Sequence, residues 1–302
     1  DYTPLLLQQL RFGYRVIVVV TIGFRPHVLM DGLITNLQLA PSSEPAGGRI
    51  TVTGEDVSVA MDLHELNLPY PAMSDAVIAT TIIGRYAALG MVPMVIPHPS
   101  DAPPDPNQDV PQRNGTDLAV LNQMAQRWGY TFFVRPGPAP GQSIAYFGPS
   151  ARVGIPQRAL TFGMGAASNV ASINFQSDAT KPKTVYGLVQ ERESGAPVPV
   201  LGFPTNQPLA AIPALIGNQP FVGSKRLSDD EQGNVARAFA AASAQTTTSS
   251  QGAITASGEL DGMAYGGVLQ ARGLVDVRGV GLTFDGTFYV KSVTHTLERG
   301  SY

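Results

Sequence analysis

The stretch that decides the fold is residues 11–39, which read RFGYRVIVVVTIGFRPHVLMDGLITNLQL. Its apolar residues are dense and β-branched, a composition typical of strands. Asp31-Gly32 interrupts the run with the dipeptide that most strongly favours a tight hairpin turn. Residues 49–54, RITVTG, alternate polar and apolar side chains and predict a further strand. The first part of the chain is therefore expected to be an antiparallel β unit, with Asp31 and Gly32 at a hairpin turn.

Composition narrows the possible functions. The 302 residues suffice for two or three compact domains, and the 32 glycines and 25 prolines indicate many turns and short strands. A net charge of −3 provides no basic surface for a phosphate backbone, so we expect no specific nucleic-acid partner. Because cysteine is absent, disulfides, thiolate metal sites and cysteine nucleophiles are excluded.

The start of the chain shows no targeting pattern. Residues 16–22 form the longest apolar run, which is much shorter than the roughly 20 residues of a membrane-spanning helix. We therefore expect a strand there and no membrane span. No basic segment precedes an apolar core, so no signal peptide is expected, and because the chain begins in mid-pattern at Asp1 we expect the true N-terminus to be missing.

Two helices are predicted in the middle of the chain. Ser74 is the expected N-cap of a helix that runs toward Gly90, with apolar residues at helical spacing. Thr116 or Asp117 caps a second helix, which Gly129 ends in the position that a helix C-terminus favours. Both helices belong to a small α/β segment inserted after the first β unit.

Irregular and extended segments surround these helices. Residues 93–111 carry seven prolines and predict a long loop. Two aromatic strands, residues 130–135 and 143–147, are expected to form a hairpin, and residues 159–175 and 184–189 predict further strands. The second half of the chain is thus expected to return to β structure.

A third helix is predicted near residues 231–244. Residues 228–231, SDDE, have the pattern of a capping box, and the residues that follow are rich in alanine. Residues 246–251 predict a flexible polar linker, and residues 195–219 an extended connection. The C-terminal residues from 253 onward alternate short strands with glycine turns.

Two segments, residues 27–37 and 281–291, repeat one order of features. Each places an apolar strand, an Asp-Gly turn and an alternating return strand one after another, at Asp31-Gly32 and at Asp285-Gly286. The repetition is either an internal duplication or a coincidence between two common hairpin signals. The sequence leaves both possibilities open.

Catalytic constellations are not found. His64-Glu65 lacks a second histidine at zinc-protease spacing, and the other three histidines are isolated in the sequence. Residues 163–165, GMG, lack the third glycine of a dinucleotide-binding fingerprint. Glu259, Asp261 and Asp276 offer carboxylates for glycoside hydrolysis, but their place beside turn glycines predicts solvated turn residues. We therefore expect no enzyme, no cofactor and no bound metal.

Three segments, residues 31–56, 116–132 and 258–302, resemble in order the phage late control gene D family, the tail hub proteins of contractile phages and related injection systems. The matching segments are spread over nearly the whole chain and follow the family's order. The positions that carry it are Gly54, Asp56, Asp117, Gly129, Tyr130, Gly258, Leu260, Asp261, Gly262, Tyr265, Gly266, Arg278, Gly279, Tyr289, Val290, Val293, His295, Gly300 and Tyr302.

This resemblance implies a mainly β fold with α+β insertions. It comprises two related antiparallel β-barrel-like tube domains, residues 1–70 and 158–302, and a small peripheral α/β segment, residues 71–157. The second domain would hold an inserted helix near residues 229–245. Three subunits would form a homotrimer with a ring of six barrels, which adapts a sixfold inner tube to a threefold spike.

The resemblance also implies partners and a location. We expect an inner tube protein on one side, other baseplate proteins, and a separate spike protein on the other side, because no spike-like domain follows Tyr302. The location would be a virion tail or an injection-particle baseplate, assembled in the bacterial cytoplasm. Two alternatives remain: a hub-associated cell-wall hydrolase, with carboxylates converging in a cleft, and a monomeric carbohydrate-binding β module with exposed aromatic platforms.

Two predictions follow from the hub interpretation. Gly286→Val should cost about 1 kcal/mol or more, because a β-branched residue resists positive φ, and it should impair particle assembly. The lumen of the ring should carry few positive charges, so that DNA or cargo does not adhere.

Overall fold

The computed structural model describes residues 10–22, 24–42, 48–106, 111–150, 155–178, 180–190, 196–203, 222–227, 235–251, 254–281 and 284–298. Within these residues the chain is mainly β with several sheets and few helices, as predicted. The strands are β1 Arg15–Ile22, β2 Arg25–Ala40, β3 Arg49–Asp56, β4 Glu65–Pro69, β5 Met91–Val95, β6 Gln112–Thr116, β7 Tyr130–Pro136, β8 Ser143–Pro149, β9 Gln157–Thr161, β10 Val170–Ser177, β11 Lys183–Gln190, β12 Pro197–Leu201, β13 Gly223–Arg226, β14 Ile254–Leu260, β15 Leu274–Arg278 and β16 Gly286–Tyr289.

Helices are fewer and are spread along the chain. The α-helices are α1 Asp75–Gly84, α2 Asp117–Trp128, α3 Val235–Gln251 and α4 Gly262–Tyr265. Short 3-10 helices occupy Val57–Asp62, Ala87–Leu89 and Gly165–Ala167.

The chain divides into two compact units. The first comprises residues 1–21, 25–125 and 131–148, and the second comprises the remainder. The first unit contains the sheets β1-β2-β3, β4-β6 and β5-β8-β7, and the second contains β10-β14, β12-β11-β13 and β16-β15-β9. Each unit is thus built from several small sheets.

The predicted hairpin of the first unit is present, but its predicted turn is wrong. The chain reverses between Ile22 and Arg25, and β2 runs unbroken through Asp31 and Gly32. A Cβ atom on Gly32 would lie 2.2 Å from the carbonyl oxygen of Glu55 on the neighbouring strand. Gly32 therefore permits the close approach of two strands, as glycine often does within a strand, and it does not form a turn.

Helix α1 begins directly after Ser74, as predicted, but a different residue caps it. The Ser74 side chain makes no capping hydrogen bond. Instead the carboxylate of Asp101 accepts hydrogen bonds from the backbone N–H groups of Asp75 and Ala76, at 2.9 and 2.8 Å. A residue of the proline-rich stretch thus satisfies the helix N-terminus from far along the chain.

The predicted loop over residues 93–111 is wrong for its first residues. Pro93 lies in β5, which pairs in parallel with β8 at the edge of its sheet. An edge strand tolerates proline because one side of its backbone needs no partner.

Helix α2 confirms its prediction. The Thr116 hydroxyl accepts a hydrogen bond from the N–H of Ala119 at 3.2 Å, which caps the helix. Gly129 follows the last residue with a φ of 65°. The two predicted aromatic strands follow as β7 and β8, which are neighbours in one sheet.

Helix α3 overturns the predicted linker at residues 246–251, because the helix continues through them. Thr247 and Thr248 donate their hydroxyl hydrogens to helix carbonyls one turn earlier, so the polar run is compatible with helix. The helix packs on β11 and β12 through a buried apolar cluster of Val185, Val189, Val200, Leu227, Ala238, Ala241 and Ala242. The predicted capping box at 228–231 lies outside the described residues. Of the predicted connection over residues 195–219 the structure describes only 196–203, in which Pro197–Leu201 form β12.

The last sheet holds the second Asp-Gly pair. β15 pairs antiparallel with β16 and parallel with β9. Asp285 ends the connection between β15 and β16, where its carboxylate accepts from the N–H of Val280 at 2.9 Å, and Gly286 is the first residue of β16. This connection is longer than a two-residue turn.

Candidate functional site

The three carboxylates proposed for hydrolysis have separate structural surroundings. Asp261 accepts a hydrogen bond from the N–H of Met263 at 2.7 Å and so caps α4. Asp276 accepts from the hydroxyl of Thr287 at 2.7 Å and pairs with Arg278 at 3.3 Å. Glu259 is exposed on β14. Capping and cross-strand pairing therefore account for two of the three.

Burial lowers the pKa of two histidines, His98 and His295, and so favours their neutral imidazoles. The Nδ1 atom of His98 accepts from the N–H of Ser100 at 3.1 Å. Within the described part of the chain, His, Asp and Glu residues form no group of three or more that fits a metal ion. No helix there has both the length and the apolar character needed to cross a bilayer.

A buried ion pair fixes the first sheet within its unit. Arg15 Nε donates to Asp31 at 2.5 Å, and the side chain of Asp31 is only 1% exposed. Arg15 also donates to the carbonyl oxygen of Leu89 at 2.7 Å, and the N–H of Gly141 donates to Asp31 at 3.1 Å. Asp31, predicted as a turn residue, is therefore the centre of a hydrogen-bonded junction.

Asp117, a residue of the family resemblance, joins α2 to the end of α1. Its carboxylate accepts from the hydroxyl of Tyr86 at 2.8 Å and lies 3.3 Å from Arg85. Burial raises the pKa of Tyr86 to about 12, and the hydrogen bond and charge of Asp117 act in the same direction, whereas Arg85 opposes them. The arrangement is that of a structural network.

The feature with the clearest functional meaning is a pair of antiparallel ribbons, one in each unit. The first ribbon is β2 with β3, and the second is β10 with β14. Residues 50–55 of β3 read ITVTGE, and residues 254–259 of β14 read ITASGE. Sequence reading missed this repeat because it compared the two Asp-Gly pairs, although the repeated ITxxGE pattern is visible in the sequence.

The partner strands repeat as well, in the same register. In the first ribbon Asn36 lies opposite Thr53 and Gln38 opposite Thr51. In the second ribbon Asn174 lies opposite Ser257 and Gln176 opposite Thr255. Ile34 and Ile173 likewise lie opposite Gly54 and Gly258. The pairing thus agrees at all of these positions, and the residue types agree at all but one, where Ser257 stands in the place of Thr53.

The glycine of each ribbon marks a close approach of the two strands. A Cβ atom on Gly54 would lie 2.7 Å from the carbonyl oxygen of Leu33, and one on Gly258 would lie 2.4 Å from that of Ser172. Each ribbon also has a β-bulge near this point. Glycine is therefore required for the same reason in both ribbons.

Both ribbons end in an aspartate that caps a short helical turn. Asp56 accepts from the N–H of Ser58 at 2.8 Å, as Asp261 does from Met263. Resemblance positions Gly54, Asp56, Gly258 and Asp261 therefore belong to one repeated element.

Three of the four ribbon strands bury no residue fully within one chain, whereas β2 buries Asp31, Gly32 and Ile34. Strands β3, β10 and β14 contain no fully buried residue, and neither does β1, RVIVVVTI, although it is almost wholly apolar. Val16, Val19 and Val52 are 39%, 47% and 40% exposed. Apolar strands left open in this way are typical of surfaces that another chain covers.

Some of the described edge strands outside the two ribbons carry prolines. Pro69 lies in β4, Pro93 in β5, and Pro197 and Pro199 in β12, all at sheet edges. Proline removes a backbone donor and so protects an edge against pairing with another strand. Strands β1, β3, β10 and β14 contain no proline. The edges of the two ribbons therefore carry no proline, as is also true of the edge strands β6, β9, β13 and β16.

The remaining resemblance positions lie at element ends and in the last apolar cluster. Tyr265, Leu269 and Val275 form that cluster, against which Val290 and Val293 pack. Gly266 and Gly279 have φ of 67° and 89°, which favours glycine. The others in the described residues are Tyr130, which begins β7, Gly129 after α2, Leu260 at the end of β14, Gly262 in α4, Arg278 at the end of β15, Tyr289 at the end of β16, and His295. Gly300 and Tyr302 lie outside the described residues.

The fold is shared with solved tail proteins. No family model matches the sequence, and no curated protein sequence matches it significantly. The chain is similar to the tail protein from Neisseria meningitidis MC58, with a TM-score of 0.61 and 14% identity over 87% of this chain and 74% of that one. It is also similar to the 43 kDa tail protein of prophage MuSo2 from Shewanella oneidensis, with a TM-score of 0.59 and 11% identity over 92% and 76% of the two chains. The chain therefore has the fold of these tail proteins.

Proposed function

We propose that the chain is a structural baseplate hub subunit of a contractile phage tail or injection particle. Three subunits form a homotrimer, and the two barrel-like domains of each give a ring of six. The observation that carries this proposal is the repeated ribbon, which matches in sequence, in register, in its glycine and in its capping aspartate.

Exposure of the ribbons supports the trimer. Apolar strands without full burial and edges without proline are unfavourable on an isolated chain, because they invite association with other strands. Cyclic symmetry closes such association into a ring of fixed size. Two similar ribbons per chain and three chains place six similar elements around one axis, which matches a sixfold tube while the trimer matches a threefold spike.

The proposal includes a tail location and three kinds of partner. The inner tube protein binds one end of the ring, a separate spike protein binds the other, and other baseplate proteins also bind the hub. The tail proteins with the same fold support the location. Assembly takes place in the bacterial cytoplasm.

The proposal also holds that the chain is not an enzyme. Support comes from Asp261 and Asp276, whose carboxylates cap a helix and pair across strands. A hub-associated cell-wall hydrolase remains the alternative that a peptidoglycan-release assay tests directly. Release of soluble fragments by the purified chain, lost in Glu259→Gln, would favour that alternative.

Native mass spectrometry of the purified chain, alone and with its tube protein, tests the assembly. The expected species has three times the subunit mass of 31.9 kDa. The tube protein should raise the share of this trimer, because it binds the assembled ring only. A chain that stays monomeric at every concentration, with and without the tube protein, would refute the hub proposal.

A further inference from the structure

One face of the sheet β12-β11-β13, in the second unit, packs against a helix. Val185, Val189, Val200 and Leu227 are buried in the apolar cluster that this face forms with α3. Successive side chains of a strand point to opposite faces, so the residues between these valines belong to the other side of the sheet. The sheet therefore has a covered face, under α3, and an opposite face.

Strand register defines the residues of the opposite face. Between β11 and β12, Tyr186 lies opposite Leu201, and Leu188 lies opposite Pro199. On the other side of β11, Arg226 of β13 lies beside Tyr186. Residues paired in this way point to the same side of a sheet. We name the resulting set the open face: Tyr186, Leu188, Pro197, Pro199, Leu201 and Arg226.

The open face is largely apolar and exposed. Leu188 is 62% exposed, and Tyr186, Leu201 and both prolines are exposed as well. Residues 185–189, VYGLV, and 197–201, PVPVL, contain no charged residue and are almost wholly apolar, which is typical of strands buried on both faces. Since α3 covers one face only, these strand sequences indicate a second covering layer, which the described residues do not supply.

Neither edge of this sheet favours an added strand. At one edge, β12 carries Pro197 and Pro199, which lack a backbone donor. At the other edge, β13 has only four residues, two of which are Lys225 and Arg226. Short, charged or proline-containing strands discourage pairing with another chain. A second layer therefore packs on the open face through side chains and does not extend the sheet.

The dimensions of the open face fit a single α-helix. Three strands about 4.8 Å apart span about 10 Å, which is about the diameter of one helix with its side chains. The five residue pairs between β11 and β12 extend about 17 Å along the strands, which corresponds to about 11 helical residues. One amphipathic helix would therefore cover this face as α3 covers the other.

Charge indicates the character of that helix. The three strands carry Lys183, Lys225 and Arg226 and no acidic residue. Arg226 is exposed on the open face itself, where a carboxylate beside the apolar stripe of an incoming helix would form a charged hydrogen bond with its guanidinium. A lysine in the same place on the helix would be repelled.

We propose that the open face binds an acidic amphipathic helix of another protein. Two other occupants fit less well. Residues 204–221, which join β12 to β13, contain no charged residue to pair with Arg226, and their four prolines disfavour a helix. A second copy of the chain packed face to face would bring the arginines of both copies into one contact. The proposal does not require the trimer, so it and the hub proposal can fail independently.

Two synthetic peptides test the proposal on the purified chain. Each is about 14 residues long, is held helical by a hydrocarbon staple and carries a stripe of leucines at helical spacing. Glutamates flank the stripe in one peptide and lysines in the other, and the dissociation constants are measured by fluorescence anisotropy. The acidic peptide should bind at least about tenfold more tightly than the basic peptide at low salt, and high salt should reduce this ratio.

Three variants locate the binding site. Leu188→Gln should weaken binding of the acidic peptide at least about tenfold, because the open face loses an apolar side chain that the helix would cover. Leu63→Gln is the matched control: Leu63 is 67% exposed and lies in the first unit, and its replacement should change binding by less than about twofold. Arg226→Glu should reverse the preference, so that the basic peptide binds more tightly than the acidic one. Circular dichroism and denaturation midpoints confirm that each variant is folded.

Three results with the peptides would overturn the proposal: no saturable binding of the acidic peptide, equal binding of the two peptides, or equal losses in Leu188→Gln and Leu63→Gln. Weaker self-association of the chain in Leu188→Gln, measured by sedimentation, would assign the open face to a second copy and would also overturn it.

The remaining occupant is tested by a chain in which a glycine-serine linker replaces residues 204–221. If this chain binds the acidic peptide at least about tenfold more tightly than the unchanged chain, those residues occupy the open face and the proposal is wrong. Equal binding by the two chains supports it. The hub proposal is judged separately, from the mass of the assembly.

Discussion

At the scale of single residues, the two ribbons depend on glycines that no side chain can replace. The added methyl group of Gly258→Ala would meet the carbonyl oxygen of Ser172 at 2.4 Å, which belongs to the paired strand. Relief requires the strands to separate, so we expect a loss of about 2 kcal/mol in the free energy of unfolding, measured by guanidinium denaturation. Gly54→Ala should act in the same direction.

A matched control exists at Gly84, the last residue of α1. A Cβ atom there has no neighbouring atom within 4 Å. Gly84→Ala should therefore stabilise the chain by about 0.5–1 kcal/mol through helix propensity alone. An equal stability of Gly258→Ala and the unchanged chain would show that the strands do not approach as closely as described.

Tyr86 predicts a specific dependence of stability on alkaline pH. The raised pKa, about 12 compared with an ordinary 10.0, means that the folded chain holds this proton more tightly than the unfolded chain does. The contribution is complete below pH 10 and is lost as the pH rises toward 12. Tyr86→Phe removes the ionisation, so the variant should lose less stability over this interval than the unchanged chain. Parallel urea titrations at pH 9 and pH 11.5 measure the difference, and equal losses would contradict the assignment.

Four residues, Gly54, Gly258, Asp261 and Asp31, show how much of the candidate site can be predicted from the sequence alone. Resemblance singled out Gly54, Gly258 and Asp261, but it did not show why they matter, because a close approach of strands is visible only once the register is known. Asp31 was assigned to a turn because Asp-Gly is a strong local signal. In the structure Asp31 is buried within β2 and paired with Arg15, and nothing in the sequence identifies Arg15 as its partner.

At the scale of elements, a hydrogen bond to the Thr246 hydroxyl joins α3 to β11. Thr246 is buried, and its Oγ1 atom accepts from the N–H of Val185 at 3.0 Å. Thr246→Val keeps the shape but leaves that N–H without its acceptor, so we expect a loss of about 1–3 kcal/mol in unfolding free energy. Thr248→Val is the control, because the Thr248 hydroxyl donates only within the helix, and it should change stability by less than about 0.5 kcal/mol. Similar losses in both variants would show that helix propensity, not docking, accounts for the effect.

Helix ends can be predicted when the residues that cap them are adjacent in sequence, but not when the capping residue lies far along the chain. α2 has its cap at Thr116 and its stop at Gly129, both adjacent to it in sequence, and its bounds were predicted. The N-terminus of α1 is satisfied by Asp101, 26 residues after Asp75, which no local rule identifies. Residues 246–251 have the composition of a linker, but contact with β11 keeps them helical.

At the scale of the whole molecule, the sequence predicts that the chain is rich in β-strands, but it does not predict which strands pair with each other. Alternation and turn residues indicated many strands, and the chain is mainly β. Strand pairing depends on contacts between residues that are far apart in the sequence. Strands β10 and β14, for example, pair although three strands and a helix lie between them in the sequence. The proposed ring of six would add a further level, because the exposed apolar residues of β1 and β3 would then contact other chains.

The proposed trimer predicts that one exposed valine contributes to the contact between subunits and that another does not. Val52, on β3 of the first ribbon, is 40% exposed in the single chain, and Val77, on α1, is 50% exposed. If neighbouring chains cover this part of β3, Val52→Asp places a charge without a partner in that contact and should weaken the trimer by at least about a hundredfold in dissociation constant. Val77→Asp should leave the trimer intact, because the proposed ring does not include the peripheral segment that holds Val77. Sedimentation of both variants at matched concentrations, after circular dichroism has confirmed their folding, decides the matter: trimers of equal stability would mean that the ribbons do not form the contact between subunits.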